Sequence, residues 1–253
     1  GHIPITYNQK VASIIHFFQK EGRNSFQKWL NRMSTYKPII LPILEEEGVP
    51  TELFYLAMIE SGLNPKAYSY AHASGIWQFI ASTGKMYGLK KNWWIDERRD
   101  FEKSTRAAAN YLKDLYAEFG DWYLSFAAYN CGSSRVKKEM KRHQSDDYWK
   151  LKRLPPQTRN YVPSIMAAIF IANNPQKYGF AILKEESMDW RTVDIDKSVS
   201  LDILSECAKL DINSLQIYNP ELKQGTLPPL KEKETYPFRL PLKASSEFDS
   251  LLA

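Results

Sequence analysis

Apolar residues at helical spacing recur from Tyr7 to about residue 180, and this rhythm restricts the fold more than any other feature. "YNQKVASIIHFFQKE" carries Val11, Ile14, Ile15 and Phe18 on one helical face. "SFQKWLNRMSTYKPIILPILEEEGVP" continues with Phe26, Trp29, Leu30 and Met33. A further helix is read after Pro50, with Thr51 as its cap and an end near Gly62 and Asn64-Pro65. "STRAAANYLKDLYAEFG" is the clearest of the set, with Ser104 as the expected cap and Gly120 as the stop. "DWYLSFAAYN" and "TRNYVPSIMAAIFIANN" are apolar on more than one side, which predicts buried helices.

After "NNPQKYGF" the period changes. "DWRTVDID" alternates like a strand, "SLDILSECAKL" and "DINSLQIYNPEL" read as helices behind polar caps, and "ETYPFRLPL" closes as a second strand. The fold class expected is mainly α, a helical domain over residues 1–183 followed by a small βααβ module over 184–253, with the boundary near residue 183.

Charge and cysteine content exclude several classes. Lys and Arg number 34 against 29 Asp and Glu, a net charge of +5. The cations are scattered, and the densest run, "RVKKEMKRH" from Arg135 to His143, reads as the solvated face of a helix; nucleic acid is not an expected partner. Cys131 and Cys207 lie far apart and read as isolated buried thiols rather than a disulfide. The 4 His are dispersed, so no metal site and no cofactor are expected. No stretch reaches the ~18 apolar residues of a membrane span, and no signal peptide or lipid-attachment cysteine opens the chain. The Gly1-His2 start reads as an artificial remnant, so a native targeting segment or lipid anchor ahead of it stays an open expectation. The sequence is silent on oligomeric state.

One acid stands out. In "LFYLAMIESGLNP", Leu53, Leu56, Ala57 and Glu60 fall at i, i+3, i+4 and i+7 and share a helix face. Turned inward, that face takes Glu60 out of bulk water, and both desolvation and the C-terminal end of the helix dipole favour its protonated form. A protonated carboxyl near neutral pH is what general acid catalysis requires. A helix-end Glu turned back to solvent fits the periodicity equally well. Downstream, "SYAHASGIWQFIASTGKMYGL" supplies Ser69 and Gln78, "AAYNCGSSRV" supplies Tyr129 and Asn130, and "LPPQTRNYVP" supplies Thr158 and Tyr161. Each is a polar group among small or apolar residues near a helix end, a common lining for a groove.

Taken together, "ESGLNPKAYSYAHASGIWQFI", "AAYNCG" and "LPPQTRNYVP" resemble, in order and spacing, the signature segments of the lysozyme-like lytic transglycosylases. "WWIDERRDFEKSTRAAANYL" resembles the region characteristic of the membrane-bound lytic murein transglycosylase D branch. The resemblance spans residues 7 to about 180 and implies a lysozyme-like fold and a peptidoglycan glycan strand as partner. It places Glu60 as the single acid/base, acting first on the glycosidic oxygen between N-acetylmuramic acid and N-acetylglucosamine. The same group then takes the proton of the muramic 6-hydroxyl, closing a 1,6-anhydro ring without water.

By the same resemblance Ser69, Gln78 and Asn130 contact substrate, and the Tyr161 hydroxyl points at the catalytic carboxylate. Ser61 ranks lower, as a helix-end cap. Gln157 stands where the family has Glu, Cys131 where Ala is commoner and Ile76 where Leu is common. The tail resembles, more weakly, a LysM-type peptidoglycan-binding module short of several loop glycines; wall binding is expected of it, with a packing appendage as the alternative. The resemblance implies the periplasm or cell envelope, with outer-membrane attachment through an N-terminal anchor. A hydrolytic muramidase on the same fold and a non-catalytic wall-binding protein are the competing readings.

Overall fold

The computed structural model describes residues 2–182 and 187–252. Eight helices precede a short sheet: α1 (Gln9–Gln19), α2 (Arg23–Glu46), α3 (Phe54–Ser61), α4 (Ala81–Met86), α5 (Phe101–Phe119), α6 (Trp122–Cys131), α7 (Ser133–His143) and α8 (Pro156–Asn173). The tail follows as β1 (Trp190–Ile195), α9 (Leu201–Ala208), α10 (Ile212–Tyr218), β2 (Tyr236–Pro241) and α11 (Phe248–Leu252). The protein is thus mainly helical with a βααβ unit at its end, as the periodicity predicts. The boundary expected near residue 183 falls among residues 183–186, outside the described residues. Among the described residues no helix is long and apolar enough to cross a membrane.

Capping decides where the helices begin, and here two expectations need correction. Thr51 does not cap α3. Pro50 precedes a single 3-10 turn over Thr51–Leu53, which runs into α3 without a side-chain cap. Ser104 does not cap α5. That helix starts a turn earlier, where the Asp100 carboxylate accepts from the backbone N–H groups of Glu102 and Lys103 at 3.0 and 2.8 Å. Asp is as good a cap as Ser and also favours the positive end of the helix dipole. Its place in the charged run "DERRD" hides it from a search for polar–apolar transitions. Gly120 ends α5 with a left-handed φ of 64°, as predicted.

Helices α3, α6 and α8 are the innermost. α8 is buried on most of its surface, including Val162, Ile165, Met166 and Ile169. α6 hides every residue from Trp122 to Ala128. α3 has Phe54, Leu56, Ala57 and Met58 wholly enclosed. A helix apolar all round must be surrounded, and α1, α2 and α5 pack about these three. By contrast α7, the basic run, keeps only Val136 and Glu139 inside.

In the tail, β1 and β2 pair antiparallel, with Trp190 opposite Pro241 and Ile195 opposite Tyr236. The tail has its own apolar core around Leu204, Leu215, Leu227 and Phe238, yet Ile95 of the helical part belongs to that core. The two parts are also stitched through backbone: Asp96 N–H donates to Glu221 C=O and Lys223 N–H to Trp94 C=O, both at 2.8 Å. Arg239 of β2 completes the join. Its guanidinium donates to Asp100 Oδ2 at 2.8 Å and Glu102 Oε2 at 2.6 Å and stacks on Phe101 at 4.6 Å. The segment from Trp93 to Glu102 therefore serves as the socket of the tail.

Candidate active site

Glu60 lies in the last turn of α3, whose end is fixed by two constraints. Gly62 takes φ +60°, and a Cβ there would sit 2.1 Å from Trp29 Nε1, so only glycine fits. Ser61 Oγ donates to Ile76 C=O at 2.8 Å and accepts from Asn64 N–H at 3.2 Å. It thereby ties the helix end to the loop that carries Trp77 and Gln78. The low rank given to Ser61 fits this placement: it holds backbone, away from the groove.

Of the predicted residues, Glu60, Ser69, Gln78 and Asn130 line one groove of about 670 Å³ together with Gln157 and Thr158, while Tyr161 is buried and does not line it. Glu60 is half-buried: protein encloses its carboxyl while one edge faces the groove. Leu53, Leu56 and Ala57, which share its helical face, are completely inside. The solvent-facing alternative for Glu60 is thereby set aside. Burial raises its pKa from 4.5 to about 7, against the opposing pull of a hydrogen bond from Tyr161. That bond runs from the Tyr161 hydroxyl to Glu60 Oε1. Burial, then the charge of Glu60, pushes the Tyr161 phenol far up, so it stays a donor. Tyr129 is displaced upward for the same two reasons, but its hydroxyl donates to Trp77 C=O at 2.7 Å.

The remaining residues divide into faces and supports. Thr158 Oγ1 donates to Asn130 Oδ1 at 2.8 Å, which leaves the Asn130 amide N–H groups for the groove. Ser69 Oγ accepts from Ala73 N–H at 3.1 Å, so its proton is available to a ligand oxygen. Gln78 is only partly what the sequence suggests. Its Nε2 is engaged by Gly75 C=O at 2.8 Å and Ala67 C=O at 3.3 Å, leaving Oε1 as the atom that can meet a ligand. Gln78 also takes φ 50°, an uncommon backbone state for a residue with a side chain. Cys131 and Gln157 both line the groove, and Cys131 is half-buried rather than enclosed.

Sequence reasoning misses the residue that supports this lip. Arg98 is almost wholly buried; its Nη1 donates to His72 C=O at 2.8 Å and Phe79 C=O at 2.9 Å. Its other edge grips Asp96, from Nε to Oδ1 at 2.9 Å and from Nη2 to Oδ2 at 2.7 Å. Burial opposes ionisation of Asp96, but the Arg98 guanidinium outweighs it and holds the carboxyl below its ordinary value. Gly75 closes against the same residue: a Cβ there would lie 1.7 Å from Arg98 C=O. Nothing in "DERRD" marks Arg98 as buried, and only the positive φ at Gly75 and Gln78 hints that something must brace the loop.

Arg135 also lines the groove, and it is the sole cation there as Glu60 is the sole acid among the lining residues. Such a site can supply one proton and a set of neutral hydrogen bonds to an uncharged, hydroxyl-rich ligand, and no carboxylate pair.

Comparison with known proteins finds similarity to the lytic transglycosylases over most of the chain. The model of the Transglycosylase SLT domain matches residues 38–152, and that of the LysM-like domain of lytic transglycosylase MltD matches 189–253. The chain is 38% identical over 202 residues to the membrane-bound lytic murein transglycosylase D of Escherichia coli K12, covering 78% of this chain and 44% of that protein. It is 31% identical over 186 residues to a protein of Alteromonas sp. strain M-1 described as a tributyltin chloride resistance protein, covering 66% of this chain and 89% of that one. Among solved structures, the 70 kDa soluble lytic transglycosylase of Escherichia coli aligns with TM-score 0.49 and 22% identity over 70% of this chain and 32% of that chain. The chain spans less than half the length of the Escherichia coli transglycosylase D.

Proposed function

We propose a wall-cleaving reaction from one premise: the chain belongs to the SLT-type lytic transglycosylases, in the transglycosylase D branch with its LysM-like tail. The substrate is the peptidoglycan glycan strand, and the bond cut joins N-acetylmuramic acid to N-acetylglucosamine. Protonated Glu60 donates to the glycosidic oxygen as that bond breaks. The resulting carboxylate accepts the proton of the muramic 6-hydroxyl, whose oxygen closes onto the anomeric carbon as a 1,6-anhydro ring.

The observation that carries this reading is the single half-buried carboxyl, poised near pH 7, in a groove whose described lining offers no second acid. Hydrolytic glycosidases generally use two carboxylates, the second to activate water or to attack carbon. A lone acid suits a reaction in which the sugar's own hydroxyl is the nucleophile. Tyr161 orients Glu60 and supports its anion when the proton has left. Asn130 and Ser69 donate to sugar oxygens, and Gln78 Oε1 accepts from one. The test is mass analysis of products from purified sacculi. Anhydro ends, lighter than reducing ends by one water, uphold the reading, whereas reducing ends make the enzyme a hydrolytic muramidase.

We place the enzyme in the cell envelope, where its substrate lies, and divide its labour as 1–183 for catalysis and 184–253 for the LysM-like tail. Ile95, Arg239 and the backbone bonds between residues 94–96 and 221–223 favour a tail held in fixed orientation to the groove. Wall contact made by such a tail sets where a strand lies relative to Glu60.

A further inference from the structure

A second cavity, separate from the Glu60 groove, opens where the tail meets the helical part. It has a volume of about 690 Å³ and is walled by α2, by the loop that follows Glu60 and by α10. That volume falls within the ~300–1,000 Å³ range of pockets that hold small ligands. Three cations reach it from three separate segments: Arg32 from α2, Lys66 from the loop and Lys243 from beyond β2. Among the described residues its lining contains no acid. Arg32 gives one N–H to Gly62 C=O at 3.0 Å, which anchors it. No carboxylate among the described residues pairs with Lys66 or Lys243 in an ion pair. Two acids stand behind the wall, Asp211 bonded to Ser214 and Asp189 bonded to Ser187, at 2.6 and 2.5 Å. Buried Tyr36 and Tyr218 give the same cleft an apolar floor.

We propose that this cleft binds the carboxylate-bearing peptide branch of a wall strand whose sugars occupy the Glu60 groove. The proposal rests on the transglycosylase reading for the identity of the strand. Connectivity supports it: Lys66 lines the cleft while Ser69, three residues on, lines the groove, so the two sites lie within ~10 Å of chain. A neutral glycan presents nothing for three converging cations to meet, but a peptide branch with free carboxylates does. The aromatic floor and side-chain hydroxyls suit a short peptide rather than a bare inorganic anion. Because the cleft needs residues from both parts, it also gives the rigid join between them a use.

The test uses the full chain carrying Glu60→Gln, so that no cleavage intervenes. A synthetic acidic tetrapeptide with free glutamyl and C-terminal carboxylates is titrated calorimetrically, beside its fully amidated twin. The free acid is expected to bind. Amidation, or the double change Lys66→Ala with Lys243→Ala, weakens it roughly two- to thirtyfold, the scale of losing two exposed charge contacts. Absent binding, equal affinity for the amidated twin, or undiminished affinity in the double variant overturns the proposal. In the active chain, the double variant raises the KM on peptide-bearing strands relative to peptide-free strands by a similar factor; an unmoved ratio also overturns it. Should the unaltered chain cleave neither strand, the transglycosylase reading falls, while the peptide titration still judges the cleft.

Discussion

Replacing Tyr161 by Phe removes one hydroxyl and leaves the ring, so the buried site keeps its packing. That hydroxyl gives the one hydrogen bond that Glu60 receives among the described residues. It favours the charged carboxylate, and without it burial acts unopposed. Hydrogen bonds to charged groups contribute about 1.5–3 kcal/mol, against about 1 kcal/mol for neutral pairs. The difference between the two protonation states is therefore on the order of 1.4 kcal/mol, or about one pH unit. The pKa of Glu60 should rise from about 7 to near 8. Because Glu60 must carry its proton at the start of each turnover, the alkaline limb of the rate profile marks this ionisation. The variant's limb should move to higher pH by about one unit. Its maximal rate should fall by roughly 10- to 100-fold, since the acid is less well aimed and its anion less supported. The assay is release of soluble muropeptides from purified sacculi between pH 5 and 9. A limb that stays in place, or moves to lower pH, removes Tyr161 from the titrating unit and refutes the argument.

Four further outcomes are expected. Glu60→Gln abolishes muropeptide release while glycan binding survives, and undiminished release by this variant removes Glu60 from the chemistry. The same change alters the pH dependence of stability. The native chain holds a proton on Glu60 between pH 4.5 and about 7 that the unfolded chain has lost, so native stability falls as pH rises through that window. Its replacement should therefore gain about 1–2 kcal/mol at pH 8, less than the ~3 kcal/mol of full enclosure because one edge faces the groove; denaturant melts at pH 4 and pH 8 that show no difference between the two pH values contradict this. Arg239→Ala leaves Asp100 and Glu221 buried beside an unneutralised charge and should cost about 3–5 kcal/mol; thermal melting of the full chain checks it, and a loss below 1 kcal/mol would mean the join is incidental. Gly75→Ala drives a methyl into Arg98 C=O and should abolish turnover by displacing the lip that carries Gln78; wild-type rates would show that the lip adapts.

The helices, the βααβ order and the residues of the groove were legible because they rest on local signals. Period 3.6 against period 2 separates the two parts, and Glu60 sits on a stripe whose other members are all buried. What escaped depends on pairing between distant charges. Nothing in "DERRD" marks Asp100 or Arg98 as buried, because charge in a sequence carries no sign of its partner. Folding gives each one: Arg239 comes from 139 residues further on to meet Asp100. Arg98 turns inward onto two carbonyls of the tight loop, His72 C=O and Phe79 C=O, the second of which also accepts from Ser74 N–H. Gln78 was legible as a residue at the site but not in its orientation, since only the fold shows its amide nitrogen held by the loop.

The same segment explains why the tail is not a loosely tethered module. A removable tail would require the helical part to be complete without it. Yet Asp100 caps α5 with one oxygen and takes the Arg239 guanidinium with the other. Phe101, the first residue of α5, lies beneath Arg239 and against Trp190. Thr105, one turn on, accepts the indole N–H of Trp77 at 2.8 Å, next to Gln78 on the groove lip. A continuous path of buried contacts thus runs from β2 through the start of α5 to the loop beside Glu60. Cutting the chain before β1 would expose Ile95 and leave the buried Asp100 carboxylate without Arg239. Loss of activity in such a truncation would therefore report damage to the groove as well as loss of wall contact, and only point changes on the tail's outer face can separate the two.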